Sequence, residues 1–191
     1  MSKLHLCCGN VYLRGWINVD AYIDGKTNMS CQWPELVEEL GTTPENYYKW
    51  CLGAARSKEV RLVDVVCDLR IAFPEKGAPY EEIMIVQGIE HFRRQDGRRL
   101  LERCFNSLVA KGMLRLDFPD VLGSAKLIEE GQDELAMRYV YCSGRDNYSV
   151  HKWGYTARMM ADLLQDIGFS WVEPWNGIVH QYPVISLQAV K

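Results

Sequence analysis

Seven short, largely apolar runs constrain this chain more than any other feature. They are Leu4–Cys8, Ile17–Asp20, Val60–Cys67 (VRLVDVVC), Glu82–Val86 (EIMIV), Met113–Phe118 (MLRLDF), Phe169–Glu173 and Pro183–Val190. Several are near-continuous over four to six residues, as expected of strands buried on both faces of a parallel sheet. Helical periodicity separates the later ones. Asp96–Lys111 puts Leu100, Leu101, Cys104, Phe105 and Leu108 on one stripe and is expected to close at Gly112. Thr156 is placed to cap a helix over Ala157–Ile167, with Met159, Met160, Leu163, Leu164 and Ile167 inward and Gly168 ending it. Strands alternating with helices predict a doubly wound α/β sheet. No helical pattern separates the last two strands, so these should form an antiparallel hairpin through the turn at Asn176-Gly177.

The segment Ala21–Lys58 breaks the alternation. It carries two amphipathic pieces, Pro34–Leu40 and Pro44–Ala55, and three aromatics in Tyr47, Tyr48 and Trp50. It reads as a helical insertion between the second and third strands. With the first strand starting at residue 4, two roles stand side by side: a lid over the site, or a helical pair that completes the packing of the sheet. No repeat or linker interrupts the 191 residues, which predicts a single domain over 1–191 with 21–58 inserted in it.

A net charge of −3 gives no electrostatic case for a non-specific nucleic-acid binder. No apolar run approaches the roughly 18 residues that a membrane span requires. Cys8-Gly9-Asn10 breaks the N-terminal apolar stretch, so no signal peptide is expected. Seven cysteines are scattered without a Cys-x-x-Cys pair, and Cys7 and Cys8 should point to opposite faces of a strand. Reduced thiols in a cytoplasmic protein, with no metal site, is the expectation.

The stretch LHLCCGNVYLRGWINVD, Leu4 to Asp20, carries the chemistry. A strand enters a tight bend, and a second strand ends on an aspartate placed to accept hydrogen bonds from two ribose hydroxyls. In a doubly wound sheet the ligand lies beyond the strand C-termini, where four stretches should meet. They are Cys7–Asn10, Asp20, the CDLR string with Asp68, and the VQGIEHF string with Gln87 and Gly88. A pyrophosphate needs several backbone amides at a glycine-rich helix start. Here Gly9 and Gly15 are far apart and no lysine follows. S-adenosylmethionine has a ribose and an adenine but no phosphate, and its needs fit what is present.

Five strings in order, LHLCCGNVYLRGWINVD, DVVCDLRIAFP, EEIMIVQGIEHF, LVAKGMLRLDFPD and HKWGYTARMMADLLQDIGF, resemble the class I S-adenosylmethionine-dependent methyltransferases. The resemblance is strongest to a small bacterial-type group whose first motif reads L-N-L-G-C-G-x and is followed by G-(W/Y)-x-N-(V/L)-D. It spans nearly the whole chain except Ala21–Lys58. It implies a mostly parallel seven-stranded sheet with an antiparallel last strand, and cofactor contacts at Gly9, Asp20, Asp68, Leu69 and Gln87. Cys7 departs from the family, which has glycine-x-glycine there. Its Cβ should crowd the methionyl group unless the backbone at that position stays in the β region.

His91, after the fourth strand, and His151, in HKWGYT, are the candidate catalytic residues, since a neutral imidazole can deprotonate a hydroxyl or amine acceptor. Trp153 and Tyr155 are candidates for the acceptor pocket. The alternatives are a histidine capping a local turn and a loop packed by its own aromatics. Arg93, Arg94, Arg98 and Arg99 read as a solvated helix start. The functional expectation is transfer of a methyl group to an oxygen or nitrogen of a small molecule or saccharide. Its rivals are a non-catalytic methyltransferase-like module and, against the missing glycine run, a nicotinamide-dependent oxidoreductase. Exocyclic-amine chemistry on bases is disfavoured, because Gln87-Gly88-Ile89-Glu90 stands where an Asp/Asn-Pro-Pro-Tyr/Phe string is usual. The sequence leaves the acceptor and the oligomeric state open, a homo-oligomer included.

Overall fold

The computed structural model describes residues 2–21, 27–29, 38, 41–47, 61–142, 147–176, 178, 180 and 182–191. Eleven strands are described: β1 (Ser2–Leu6), β2 (Tyr12–Leu13), β3 (Ile17–Asp20), β4 (Thr27–Met29), β5 (Gly41–Thr42), β6 (Arg61–Val63), β7 (Val65–Val66), β8 (Tyr80–Val86), β9 (Leu108–Pro119), β10 (Trp171–Pro174) and β11 (Val184–Val190). Four α-helices accompany them: α1 (Arg94–Ser107), α2 (Val121–Glu129), α3 (Asp133–Tyr141) and α4 (Ala157–Ile167).

The main sheet has seven strands in the order β10-β11-β9-β8-β1-β3-β7. β11 runs antiparallel to both its neighbours, with Trp171 opposite Val190 and Ile185 opposite Phe118, and the other pairings are parallel. The doubly wound α/β reading and the antiparallel final pair are therefore what the chain forms. β8 at the centre explains the continuous apolar run EIMIV. Ile83 and Ile85 pack on one face with Leu4, Leu6, Leu100, Leu101 and Leu164, while Met84 and Val86 pack on the other with Leu13, Trp16 and Tyr47. Period-two alternation buries both sets at once.

α4 begins and ends where its signals place it. Thr156 Oγ1 accepts a hydrogen bond from the Met159 amide (3.2 Å), and Gly168 closes the helix at φ +120°. Met160 and Leu164 are buried, but Met159 is 40% exposed. Three other expectations change. The helix expected over Asp96–Lys111 stops at Ser107, and β9 begins at Leu108. Gly112 lies inside that strand, where its carbonyl accepts from the Lys191 amide (3.0 Å), so sheet pairing takes over the residues that continued the helical stripe. Val60–Cys67 is divided: β6 leaves the main sheet to pair with β4, and only β7 joins β3.

The insertion is not wholly helical where it is described. β4 pairs with β6, β5 pairs with β2, and Pro44–Asn46 forms one 3-10 turn. Pro34–Leu40 and Pro44–Ala55, with Tyr48 and Trp50, lie largely outside the described residues. α2 and α3, between β9 and the loop that precedes α4, had no counterpart in the sequence reading. Among the described residues no helix is long and apolar enough to cross a membrane.

Candidate functional site

The parallel strands β1, β3, β7 and β8 end along one edge of the sheet, and a cavity of about 280 Å³ opens there. Its wall includes Cys7, Gly9, Asp20, Asp68, Leu69, Gln87, Gly88 and His91, so eight of the eleven residues singled out from the sequence meet in one place.

The β1–β3 connection is folded by a buried side chain, Asn18. Its Oδ1 accepts from the Leu13 amide (2.8 Å) and its Nδ2 donates to the carbonyls of Leu13 (2.9 Å) and Trp16 (3.0 Å) and to Asp64 Oδ2 (3.1 Å). With both Nδ2 hydrogens committed, Oδ1 must also be the acceptor for His5 Nδ1 at 3.0 Å. Burial holds His5 down to about 4, with the Asn18 bond opposing the shift. This network closes a ten-residue excursion, residues 7–16, that no helix spans, and it delivers Asp20 to the end of β3. There Asp20 Oδ2 accepts from the Gly9 amide (2.5 Å) and Oδ1 from the Ala21 amide (2.7 Å). Both carboxylate oxygens thus sit on backbone amides at the cavity wall.

Cys7 does not stay in the β region. Its φ is +54°, a left-handed backbone that side chains rarely adopt, and Gln87 opposite has φ +49°. The conformation is stabilised by close packing: a Cβ on Gly88 would stand 2.6 Å from Cys7 Cβ and 2.9 Å from Ile85 Cγ2. Glycine at 88 is therefore what makes room for the cysteine at 7. Burial, with Asp20 and Glu90 adding, pushes the Cys7 thiol up, which disfavours the thiolate.

Asp68 is engaged by Arg70, whose Nε lies 2.8 Å from Oδ1 and whose Nη2 lies 2.5 Å from Oδ2. Arg70 in turn donates to Tyr148 Oη (2.9 Å) and stacks over that ring at 4.6 Å. The guanidinium holds the Asp68 carboxyl below its usual range. Gln87 donates from its side-chain amide to Asp117 Oδ1 (2.8 Å), a buried carboxylate that also accepts from Ser186 Oγ (2.6 Å) and lies 2.8 Å from His180 Nε2.

Glu90 is 2% exposed and, among the described residues, neither of its oxygens has a hydrogen-bond partner; burial raises it to about 8. Its backbone carbonyl accepts from the amides of Lys152 (2.8 Å) and Trp153 (3.3 Å), strapping the loop before α4 onto the turn Ile89–His91. The strap brings the two histidine rings together edge to face, 4.9 Å between centroids. His91 Nδ1 lies 3.1 Å from the Val150 carbonyl and His151 Nδ1 2.9 Å from that of Tyr139. Burial holds His151 below its ordinary value.

His151, Trp153 and Tyr155 are not on the cavity wall. Tyr155 is 2% exposed, edge to face with Phe118 and close against Gly97. Trp153 packs on the same core under the Arg94 guanidinium. Aromatic side chains on an extended loop over apolar helices are buried by those helices, which is why the loop did not supply a ring to the cavity. The basic run behaves as a solvated helix start: Arg98 pairs with Glu102 and Asp166, and Arg99 with Asp96.

Arg70, Tyr148, Cys67 and Lys152 also line the cavity and were not found from the sequence. Arg70 stood beside Asp68 in CDLR, whereas Tyr148 and Lys152 reach the site only through the strap.

Solved structures sharing this arrangement are S-adenosylmethionine-dependent methyltransferases. The apo form of the enzyme SibL matches with TM-score 0.54 at 12% identity, over 100% of this chain and 50% of that one. The magnesium protoporphyrin IX methyltransferase of Synechocystis, with S-adenosylhomocysteine bound, gives 0.52 at 12% identity over 100% and 74% of the two chains. A methyltransferase from Archaeoglobus fulgidus gives 0.50 at 15% identity over 100% and 86%. The chain has the fold of the class I methyltransferases. It spans about half the length of the first solved structures it matches. No family model matches it, and no curated protein matches it in sequence. At such identities the likeness carries the methyltransferase fold and not an activity.

Proposed function

We propose that this chain is an enzyme, a single methyltransferase-like domain over residues 1–191, that binds S-adenosylmethionine in the cavity and methylates an oxygen or nitrogen of a small molecule or saccharide in the cytoplasm. The observation that carries the reading is Asp20. Its carboxylate ends β3 at the cavity wall and is anchored by the Gly9 and Ala21 amides, the position from which an aspartate meets a ribose in doubly wound sheets. Gly9, at φ +55° with open space where a Cβ would be, lets the backbone approach the ligand. Leu69 and Asp68 are the wall for the adenine, and Cys7, Gln87 and Gly88 border the methionyl end. Residues 21–58 begin at the cavity with Ala21, which supports the lid role for that segment.

When bound, the cofactor supplies an activated methyl group. The chain's own part is alignment and exclusion of water. His91 is the candidate catalytic residue at the wall, with His151 behind it. Each histidine gives its Nδ1 hydrogen to a backbone carbonyl, which fixes its ring orientation. Trp153 and Tyr155 position that strap rather than meet the acceptor. Calorimetric titration with S-adenosylmethionine and S-adenosylhomocysteine, with NAD as control and Asp20→Ala alongside, tests the reading. Micromolar binding lost in the variant, with NAD silent, supports it.

A second reading, a methyltransferase-like module without turnover, is favoured by two observations. Cys7 holds a side chain in left-handed backbone where the resembling group has glycine, and Asp68 is already engaged by Arg70. Absence of binding by either sulfur ligand would give it the lead.

A further inference from the structure

Glu90, His91 and His151 put one carboxylate oxygen and two imidazole nitrogens within 4.8 Å of one another. Nε2 of His91 lies 4.0 Å and Nε2 of His151 3.8 Å from Glu90 Oε1. The two Nδ1 atoms sit on backbone carbonyls of Val150 and Tyr139 and must carry the ring hydrogens, because a carbonyl only accepts. Nε2 of each ring is therefore the nitrogen turned toward the Glu90 carboxyl. Three potential ligand atoms thus converge on one point. The Glu90 carboxyl itself is 2% exposed, and among the described residues neither oxygen has a hydrogen-bond partner. A histidine whose far nitrogen is held by a backbone carbonyl is the usual second-layer arrangement of a metal-ligating imidazole, fixing tautomer and ring direction.

We propose that Glu90, His91 and His151 form a binding site for one divalent transition-metal ion, zinc or a neighbour of similar ligand preference. Two nitrogens and one oxygen suit such an ion and not magnesium or calcium, which want oxygens. Ligation at about 2.0–2.2 Å requires the three atoms to draw in by roughly an ångström, within reach of side-chain rotation. Three protein ligands leave coordination positions open, and His91 borders the cavity, so the open side faces whatever enters it. The ion departs from the expectation of no metal, which rested on the cysteines alone. The metal site stands on these three residues and does not depend on the cofactor reading.

The experiment is a titration of metal-stripped protein with Co²⁺, followed by visible ligand-field absorption and then by displacement with Zn²⁺. One equivalent per chain bound at micromolar concentration is expected, with affinity reduced at least about 100-fold in Glu90→Gln and in His151→Ala. Imidazole ¹⁵N spectra of the wild type provide a check that needs no variant. Zn²⁺ should shift Nε2 of two of the four histidines and leave His5 and His180 in place. No saturable cobalt spectrum below about 1 mM overturns the proposal, since a three-residue site must bind well above that. A thiolate charge-transfer band overturns it too, by assigning the metal to cysteine. S-adenosylhomocysteine titrated into the same samples separates the two readings. Nucleoside binding without cobalt binding overturns the metal site alone, and cobalt binding without nucleoside binding upholds it while overturning the cofactor reading.

Discussion

His5 offers a direct test of how the loop that carries Asp20 is held. It lies on β1, on the sheet face opposite Leu4 and Leu6, fully buried. Its Nδ1 hydrogen goes to Asn18 Oδ1, and Tyr47 Oη lies 3.3 Å from Nε2. Burial holds its folded value at about 4 against an ordinary 6.5, so the native state keeps the ring neutral while the unfolded chain takes up a proton below 6.5. Stability from His5 is therefore fully present above 6.5 and is lost as pH falls toward 4. At about 1.4 kcal/mol per pH unit, roughly 2 kcal/mol goes between pH 7 and pH 5, and about 3 kcal/mol by pH 4. Other groups titrate in the same range: His151 is held low by burial and adds to the loss, whereas Glu90, raised to about 8, opposes it. Urea unfolding of the wild type and His5→Gln at several pH values isolates the histidine, because glutamine does not titrate. The wild type should lose about 2 kcal/mol more than the variant between pH 7 and 5. Equal losses in the two proteins would refute the claim that burial keeps His5 neutral and that the Asn18 network depends on it.

Other expectations follow from the same geometry. Gly88→Ala drives a Cβ to 2.6 Å from Cys7 Cβ, and overpacking there should cost about 1–3 kcal/mol, read as a lowered urea midpoint. Asn18→Ala takes the Asn18 bonds from the Leu13 amide and the Trp16 carbonyl, and a loss of roughly 2 kcal/mol or more is expected by the same assay. Cys7→Gly removes a left-handed side chain worth about 1–2 kcal/mol of strain, which offsets the greater freedom of glycine in the unfolded chain. Its stability should stay within about 1 kcal/mol of the wild type while S-adenosylhomocysteine binds more tightly by calorimetry. Arg70→Ala frees the Asp68 carboxylate, whose titration by carboxyl NMR should move up toward the ordinary aspartate range.

The sequence by itself determined the sheet and one of its helices. Central strands buried on two faces need apolar side chains at consecutive positions, so EIMIV and its companions announce themselves locally. A cap and a closing glycine are equally local, and Thr156 and Gly168 bound α4 where they should. The aspartate at the end of β3 was legible for the same reason, since a strand ending on a polar residue is written in a few adjacent letters. The end of α1 was not, because Leu108–Lys111 satisfies a helix stripe as well as a strand, and only pairing with β8 and the Lys191 backbone decides between them.

Tertiary structure alone decided how the site is finished. Left-handed backbone at Cys7 follows from the space that Gly88 leaves across two strands, a distance of 81 positions in the chain that no local pattern encodes. The engagement of Asp68 by Arg70 and Tyr148 joins residues 78 positions apart. The convergence of Glu90, His91 and His151 depends on backbone bonds from Lys152 and Trp153 to the Glu90 carbonyl. Those bonds are made by atoms every residue carries, so no side-chain pattern reports them, and they turned a loop expected to offer His151, Trp153 and Tyr155 to a ligand into one that buries Tyr155, half-buries Trp153 and sets His151 beside Glu90.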